Sequence, residues 1–314
     1  MKRFRSHVAL AVDGGGIRGT MVVRALSVLE DRKAFGGKTA DKVFNLSAGT
    51  STGSIICAGL AAGLSGGKLY ELYRALGPQV FKTTLRSLLW PLFRYRFDPR
   101  PFERFLIQYI GPVTMRDIGP MSLIITTFDL VEDRTRFIKS GKSDYADWQV
   151  ATAVRASCAV PTYFPPVKGQ FVDGGVGSYS NPCYLAAYEA CIVRKWDPAE
   201  TTLISFGAGR DPHTLKRGDA DRFRPWDWLA PILDAFQQSA DDEQLRVVKT
   251  FFRKLDFRRF QVNLAKPISL DDASENTLNL LARYGDELAD MVMKDRTDTE
   301  VMAGAFALPP AMRR

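Results

Sequence analysis

A strand-like apolar run followed at once by a glycine-rich turn occurs twice near the start of this 314-residue chain. The first turn, residues 13–19 (DGGGIRG), follows the apolar run at residues 7–12. The second turn, residues 49–53 (GTSTG), follows the apolar run at residues 43–47. Residues 20–32 lie between them and carry apolar side chains at helical spacing. This order is βαβ, which predicts a parallel sheet.

Further strand-like segments predict that the sheet continues along most of the chain. A mainly parallel sheet covered by helices on both faces, an α/β fold, is therefore expected. No repeat, low-complexity tract or flexible linker marks a boundary, so we expect one domain over residues 7–290 and a C-terminal tail at 291–314. The further strand-like segments are residues 121–130, 136–139, 170–172, 202–206 and 259–264.

The composition is that of an ordinary globular protein, with 46% hydrophobic and 25% charged residues. No apolar run approaches the roughly 20 residues that a helix needs to cross a bilayer. The net charge of +8 is spread along the chain. The simplest interpretation of this charge is a soluble protein with a basic surface. Attraction to anionic lipid headgroups is the next interpretation, and nucleic-acid binding is much less favoured. We expect peripheral contact with an anionic membrane and no nucleic-acid partner.

Metal and disulfide chemistry are not indicated by the sequence. The cysteines lie among apolar or small residues, without a C-x-x-C pair or a neighbouring histidine. There is no Asp/Asn-rich calcium loop and no H-E-x-x-H motif. We therefore expect no metal, and a reducing cytoplasm as the location.

One segment, residues 77–100, mixes large apolar residues with arginines. It fits a buried connection with snorkelling arginines, or a mobile cap that contacts acyl chains or a membrane. Both interpretations stay open. After it, Asp98-Pro99 predicts the start of a helix. The core stripe of that helix would be Phe102, Phe105, Leu106, Tyr109 and Ile110.

Ser51, in the second glycine-rich turn, is a candidate nucleophile. Flanking glycines let a strand-to-helix turn tighten while the hydroxyl stays exposed at the helix N-terminus. Such a serine needs a proton acceptor, and the chain has only two histidines. His7 lies at the start of the first strand, at the wrong end of the sheet, whereas His213 follows residues 202–206 and fits the correct edge. A Ser51 that only caps a helix is the simpler alternative.

An aspartate is the other candidate base. Asp173 ends the strand-like segment at residues 170–172 and is followed by two glycines. Aspartate is a weak base at its ordinary pKa of about 3.9, so it must gain from contact geometry or from a raised pKa. Asp13 is an alternative, and the order Ser51, Asp173, His213 also fits the triad of α/β-hydrolases.

The first glycine-rich turn matches G-x-G-x-x-G, which is typical of dinucleotide-binding folds. In those folds an acidic residue closes the second strand and binds the ribose, but here that strand ends Ser47-Ala48-Gly49. Consecutive glycines also free several backbone N–H groups to point at one spot, as an oxyanion hole requires. Arg18 would orient this loop or contact an anionic headgroup.

Three motifs together resemble the patatin-like phospholipase family. They are DGGGIRG at residues 13–19, GTSTG at 49–53 and DGG at 173–175, in the family's order and spacing. The resemblance extends over about residues 7 to 290. It includes residues 156–166 (ASCAVPTYFPP), Asn181-Pro182 and residues 271–274 (DDAS).

The resemblance implies a three-layer α/β/α sandwich with a mainly parallel central sheet. It also implies a Ser–Asp dyad, with Ser51 as nucleophile and Asp173 as the base that acts on it directly. The implied activity is hydrolysis of phospholipids or related lipid esters without a metal or other cofactor. A transacylase or thioesterase using the same site and a lipid-binding regulatory module with latent activity are the alternatives. The implied oxyanion donors are the amides of Gly14, Gly15, Gly16 and Thr52.

Overall fold

The computed structural model describes residues 1–82, 84–90, 92–141, 144–212 and 215–298. In these ranges seven strands form one sheet. The strands are β1 (His7–Val12), β2 (Leu46–Thr50), β3 (Ser122–Asp129), β4 (Arg134–Lys139), β5 (Phe171–Asp173), β6 (Thr201–Phe206) and β7 (Asp256–Phe260). Their order is β4-β3-β2-β1-β6-β7, and β5 pairs with β3. All neighbours are parallel except β4 and β5, which run antiparallel to β3.

Helices cover both faces of this sheet, which confirms the predicted three-layer, mainly parallel α/β fold. No helix in the described ranges is long and apolar enough to cross a membrane. The helices are α1 (Gly19–Asp31), α2 (Thr52–Ala61), α3 (Gly66–Val80), α4 (Leu85–Leu88), α5 (Pro99–Ile110), α6 (Val150–Ser157), α7 (Cys183–Tyr188), α8 (Leu229–Phe251) and α9 (Glu275–Met293).

The side chains of β1 alternate between two apolar cores. Val8, Leu10 and Val12 belong to the core shared with α1, α2, α3, α5 and α6. Ala9 and Ala11 face the opposite core, which α7 and α8 complete. Successive residues of a strand point to opposite faces, so a strand that is apolar on both faces must lie in the middle layer.

The register of β3 places β2 and β5 end to end. Parallel pairing of β2 with β3 stops at Thr50, which lies opposite Thr126. On the next residue of β3, Thr127, antiparallel pairing with β5 takes over, and its partner is Asp173. The carboxyl ends of β2 and β5 therefore meet at one point beside β3. Ser51 follows directly after the first of these ends.

Two predicted strands are shifted along the chain in the structure. The second strand was expected at residues 43–47, but pairing with β1 begins at Leu46 and continues through Gly49. The strand thus includes part of the GTSTG motif, because a glycine there allows α2 to pack close by. The last strand was expected at residues 259–264, yet β7 begins at Asp256, where charged residues pair with β6. The start of β7 was not predicted, because its charged residues interrupt the apolar pattern by which strands were located.

The predicted tail begins inside the folded body. Residues 291–293 complete α9, and Asp298 is buried, with its N–H donating to the carbonyl of Arg259 (2.7 Å) and its carboxylate paired with Arg210 (2.9 Å). The rest of that prediction, residues 299–314, lies outside the described residues.

The two glycines of the GTSTG motif are required by close approach of backbone segments. A Cβ on Gly49 would overlap the carbonyl of Gly53, and a Cβ on Gly53 would overlap the carbonyl of Val12. Backbone atoms cannot move aside as flexible side chains do, so neither position tolerates a larger residue without a shift of α2 against the sheet.

We expect Gly53→Ala to lower the free energy of unfolding by about 3 kcal/mol, because overpacking against backbone is not relieved by a side-chain rotation. The matched control is Gly67→Ala, since each glycine is the second residue of its helix. A Cβ on Gly67 would meet only hydroxyls at 3.8 and 3.9 Å, so this change should leave stability unaltered or raise it slightly. Urea unfolding measures both, and equal stability of the two variants would contradict the packing argument.

Candidate active site

Ser51 lies on a strained turn between β2 and α2. Its backbone has φ 51° and ψ −123°, a left-handed conformation that a non-glycine residue adopts only when its surroundings enforce it. Its N–H donates to the hydroxyl of Ser157 (2.8 Å), and its carbonyl accepts from the N–H and hydroxyl of Ser54 (2.8 and 2.6 Å). The side chain of Ser51 makes no capping hydrogen bond to the helix. The interpretation of Ser51 as a mere cap is therefore wrong.

Asp173 is brought next to Ser51 by the strand register. Its side chain is buried, and Oδ1 accepts a hydrogen bond from the N–H of Gly175 (2.8 Å). Burial raises the pKa of Asp173 to about 6, against the opposing effects of the Ser51 side chain and the Gly175 amide. Among the described residues, no group completes a hydrogen bond of good geometry with Oδ2. The Asp173 carboxyl thus has a pKa close to neutral pH, and its Oδ2 oxygen is available to accept a proton.

The glycine loop lies over the serine. A Cβ on Gly14 would stand 3.4 Å from the Cβ of Ser51. The Gly14 amide, which we predicted as an oxyanion donor, instead donates to the carbonyl of Ser180 (2.9 Å). That part of the prediction is wrong, because an N–H already bonded to a carbonyl is not free for substrate. Within the described chain, the amides of Gly15, Gly16 and Thr52 have no acceptor.

Gly16 owes its position to a turn with positive φ (+56°). A Cβ there would overlap the carbonyl of Leu270, which also accepts the N–H of Ile17 (2.8 Å). A neighbouring segment therefore supports the glycine loop through its backbone.

Arg18 is engaged with neighbouring protein groups. Its Nε donates to the carbonyl of Ile268 (2.9 Å), and its guanidinium pairs with Asp211 (2.7 Å). Of the two roles expected for Arg18, these contacts match orientation of the loop. Arg18 also lines the cavity that contains Ser51, so contact with a headgroup stays a prediction.

Asp13 is not a base in this structure. Its two carboxylate oxygens accept hydrogen bonds from the guanidinium of Arg259, which also donates to the hydroxyl of Ser205 (2.8 Å). Burial opposes the charge of Arg259, but Asp13 more than offsets this and raises the pKa of the arginine. The two groups form a buried ion pair that fixes the start of the glycine loop to β7.

Neither histidine is placed beside Ser51 by the described residues. His7 begins β1 at the opposite edge of the sheet, and its ring stacks on Trp196 (4.6 Å between centroids). His213 lies outside the described residues. No group of three or more His, Cys, Asp or Glu side chains in the described part of the chain could hold a metal ion.

Ser51 and Asp173 line a cavity of about 1290 Å³. One part of its wall is apolar and comes from helices on the first face of the sheet. The opposite part comes largely from α8 and is polar. It includes Asp241, whose pKa is raised to about 7 by burial and by the nearby Asp13. The apolar part, which we call the apolar lobe, is lined by Ile55, Leu76, Val80, Phe81, Phe102, Val160 and Phe164.

Sequence reasoning missed several residues that support the site. Ser157 holds the Ser51 amide, Ser180 holds the Gly14 amide, and Arg259 neutralises Asp13. Ser157 lies inside the motif at residues 156–166, which was a usable signal. Nothing in the local sequence marks Ser180 or Arg259, because both act across the fold.

Comparison with known proteins agrees with this geometry. Residues 10–187 match the model of the patatin-like phospholipase family. The chain belongs to this family, which confirms the resemblance of its three motifs. It is a lipid acyl hydrolase, and its substrate is a lipid.

Similar proteins come from animals, bacteria and plants. An intracellular phospholipase A2 of Caenorhabditis elegans is 32% identical over 225 residues, which are 66% of this chain and 20% of that protein. The cGAMP-activated phospholipase of Vibrio cholerae is 24% identical, covering 96% of this chain and 94% of that protein. Patatin-1-Kuras 2 of Solanum tuberosum is 25% identical, covering 92% and 88%. Among solved structures, VipD from Legionella pneumophila aligns with a TM-score of 0.42 at 12% identity, over 91% of this chain and 67% of that one.

We expect Asp173→Asn to stabilise the protein at pH 8 by about 1–3 kcal/mol and to have no such effect near pH 4. Folding raises the pKa of Asp173 from 3.8 to about 6. The folded state therefore holds this proton more tightly, and stability is lost as pH rises through this window. An amide does not titrate, so the variant escapes the loss.

The matched control is Asp13→Asn, which changes a second buried carboxylate in the same way. Here the charge of Arg259 would be left unpaired, so stability should fall by about 3–5 kcal/mol at pH 8. Urea unfolding of the wild type and both variants at both pH values measures the six free energies of unfolding. A destabilised Asp173→Asn at pH 8 would contradict a raised pKa.

Proposed function

We propose that the protein is a serine acyl hydrolase that releases fatty acids from phospholipids or related lipid esters through a dyad of Ser51 and Asp173. The observation that carries the proposal is the junction of β2 and β5. It sets a strained serine beside a buried carboxyl with a raised pKa and a vacant acceptor oxygen. A base of this kind is matched to work near neutral pH.

In the first half of the reaction, Ser51 Oγ attacks the ester carbonyl while Asp173 takes the hydroxyl proton. The negative charge that develops on the carbonyl oxygen is met by the amides of Gly15, Gly16 and Thr52, which have no other acceptor among the described residues. The protonated Asp173 then gives its proton to the leaving alkoxide. The products are an alcohol or lysolipid and an acyl ester on Ser51.

In the second half, a water molecule takes the place of the alcohol. Asp173, ionised again, removes a proton from the water as it attacks the acyl ester, and the same amides hold the second oxyanion. Collapse of this intermediate returns the proton to Ser51 Oγ and releases the fatty acid. No step requires a histidine, which fits a chain with two of them and with His7 at the opposite edge.

The apolar lobe would receive the acyl chain. Its aromatic and aliphatic walls bury apolar surface, which favours long-chain esters. The polar wall from α8 would face the glycerol and headgroup side of the substrate. A cavity of about 1290 Å³ has room for both.

We further propose that residues 7–290 act as one catalytic domain in the cytoplasm, with peripheral contact to anionic membranes. Supporting this, Cys57, Cys158, Cys183 and Cys191 are unpaired thiols, as a reducing compartment permits. The net charge of +8 favours approach to anionic lipid.

Three variants test the dyad. We expect Ser51→Ala to abolish fluorophosphonate labelling and ester hydrolysis, because the nucleophile is lost. Asp173→Asn should lower kcat by about 10²–10⁴-fold, the usual contribution of a general base. His213→Ala should hydrolyse a lipid panel like the wild type, with released fatty acid and lysolipid as the readout.

Two outcomes would contradict this scheme. A loss in His213→Ala comparable to that in Ser51→Ala would show a triad. Full activity in Asp173→Asn would remove Asp173 from the reaction. The stability measurements on Asp173→Asn serve as the control for folding.

The pH dependence of kcat/KM gives an independent test. Asp173 must be ionised to accept a proton, and its pKa is about 6. We therefore expect the rate on a soluble short-chain ester to rise with pH and to level off above an apparent pKa of about 6. A histidine would give a similar limb, so the same profile is measured for His213→Ala. The limb should persist in that variant, and its disappearance would assign it to His213.

A further inference from the structure

An exposed apolar segment, formed by residues 85–90 and 92–93, stands out from the surface beside the cavity. It begins with α4, and six of its described apolar side chains, Trp90 among them, face solvent. Leu85, Leu88 and Leu92 are 72%, 69% and 82% exposed, and Leu89 and Phe93 are also exposed. A contiguous run of large apolar residues left in water marks an interaction surface. Of the two interpretations of residues 77–100, the structure favours an exposed cap for this part.

Both ends of the apolar segment are fixed next to the apolar lobe. On its C-terminal side, Phe97 is buried, with its ring 5.4 Å from that of Phe81 and 5.8 Å from that of Phe164. Phe81 and Phe164 both line the cavity. The Phe97 N–H also donates to the carbonyl of Tyr163 (3.0 Å). The exposed residues are thus held at the mouth of the lobe that would receive acyl chains.

A second anchor is Arg96. Its N–H donates to the carbonyl of Thr162 (2.9 Å), and its guanidinium pairs with the carboxylate of Asp271 (2.7 Å). Asp271 follows Leu270, whose carbonyl holds the glycine loop. The C-terminal end of the apolar segment is therefore connected, through Asp271 and Leu270, to the glycine loop of the candidate active site.

The charge around the apolar segment has one sign. Residues 81–97 contain the cations Lys82, Arg86, Arg94 and Arg96 and neither aspartate nor glutamate. Trp90 lies in the same stretch. Leucine, phenylalanine and tryptophan interleaved with cations, without acidic residues, is the composition that binds the interface of an anionic bilayer. A second copy of this chain is a poorer match, because pairing two such surfaces would bring like charges together.

We propose that the apolar segment is the surface by which this protein docks on an anionic phospholipid bilayer. This inference rests on the proposed function and names where its substrate is met. Leu88, Leu92 and Phe93 enter the acyl region, while the exposed cations Lys82 and Arg94 contact lipid phosphates. The apolar lobe then opens toward the leaflet, so an acyl chain passes from bilayer to cavity without crossing water.

The test compares two double variants that add equal charge. Leu92→Glu with Phe93→Glu alters the apolar segment. Ile192→Glu with Val193→Glu is the matched control, because those residues are 53% and 48% exposed and lie near Trp196, at the opposite edge of the sheet. Both pairs are carried on Ser51→Ala, so that vesicles stay intact. Binding is measured by sedimentation with vesicles of phosphatidylcholine alone or mixed with phosphatidylglycerol.

We expect the Ser51→Ala protein to bind the mixed vesicles more tightly than the neutral ones. The Leu92→Glu/Phe93→Glu pair should weaken this binding about tenfold or more, and the control pair should change it by about twofold or less. With Ser51 restored, the first pair should lose hydrolysis of vesicle lipid but keep wild-type kcat/KM on a soluble short-chain ester. Unchanged thermal unfolding temperatures confirm that the variants fold.

Wild-type-like vesicle binding by the Leu92→Glu/Phe93→Glu protein would overturn the proposal. Equal losses in both pairs would also overturn it, because net charge would then explain the binding. A smaller mass in gel filtration for the first pair alone would assign the segment to an interface between copies of the chain. Failure of the proposed function has a different signature, namely vesicle binding without hydrolysis of any ester by the wild type.

Discussion

The site depends on how two strands share one side of β3. Parallel pairing with β2 ends at Thr126, and antiparallel pairing with β5 begins at Thr127. Backbone hydrogen bonds along β3 therefore fix the separation of Ser51 and Asp173, since Ser51 directly follows β2 and Asp173 is the last residue of β5. A shift of β5 by one residue would turn the Asp173 side chain to the other face of the sheet. Positioning by register is more rigid than positioning by a long loop, which suits the proposed two-residue mechanism, in which no third group orients the base.

Two buried carboxylates near the glycine loop have opposite fates because of their partners. Asp13 meets the guanidinium of Arg259 and stays in a structural ion pair. Burial raises the pKa of both carboxyls, and in Asp13 the guanidinium of Arg259 opposes this. Asp173 meets only an amide and the serine, and its pKa reaches about 6. A carboxylate that is buried without a nearby cation can act as a base near neutral pH. A carboxylate that is buried against a cation instead forms a structural ion pair. The same residue type is thus divided into two roles by a single arginine from β7.

Much of the fold and the central residues of the site could be predicted from the sequence. Local patterns located β1 and the order of strands and helices, and the three motifs identified the family. The start of β7 escaped because Asp256 and Arg258 carry charge in a buried strand. The use of the Gly14 amide escaped because its acceptor, the Ser180 carbonyl, is distant in sequence. Local sequence patterns do not show which polar groups already have a hydrogen-bond partner in a distant segment of the chain.

The hydrogen bond from Gly14 to Ser180 has a consequence for how such a site can be turned off. Ser180 lies seven residues after Asp173 on the same connection. One stretch of chain therefore carries the Asp173 carboxyl and also binds the glycine loop through the Gly14 amide. Pulling that stretch away would remove the base and release the loop in one movement. The Asp173 carboxyl and the glycine loop therefore share one support, the connection from Asp173 to Ser180.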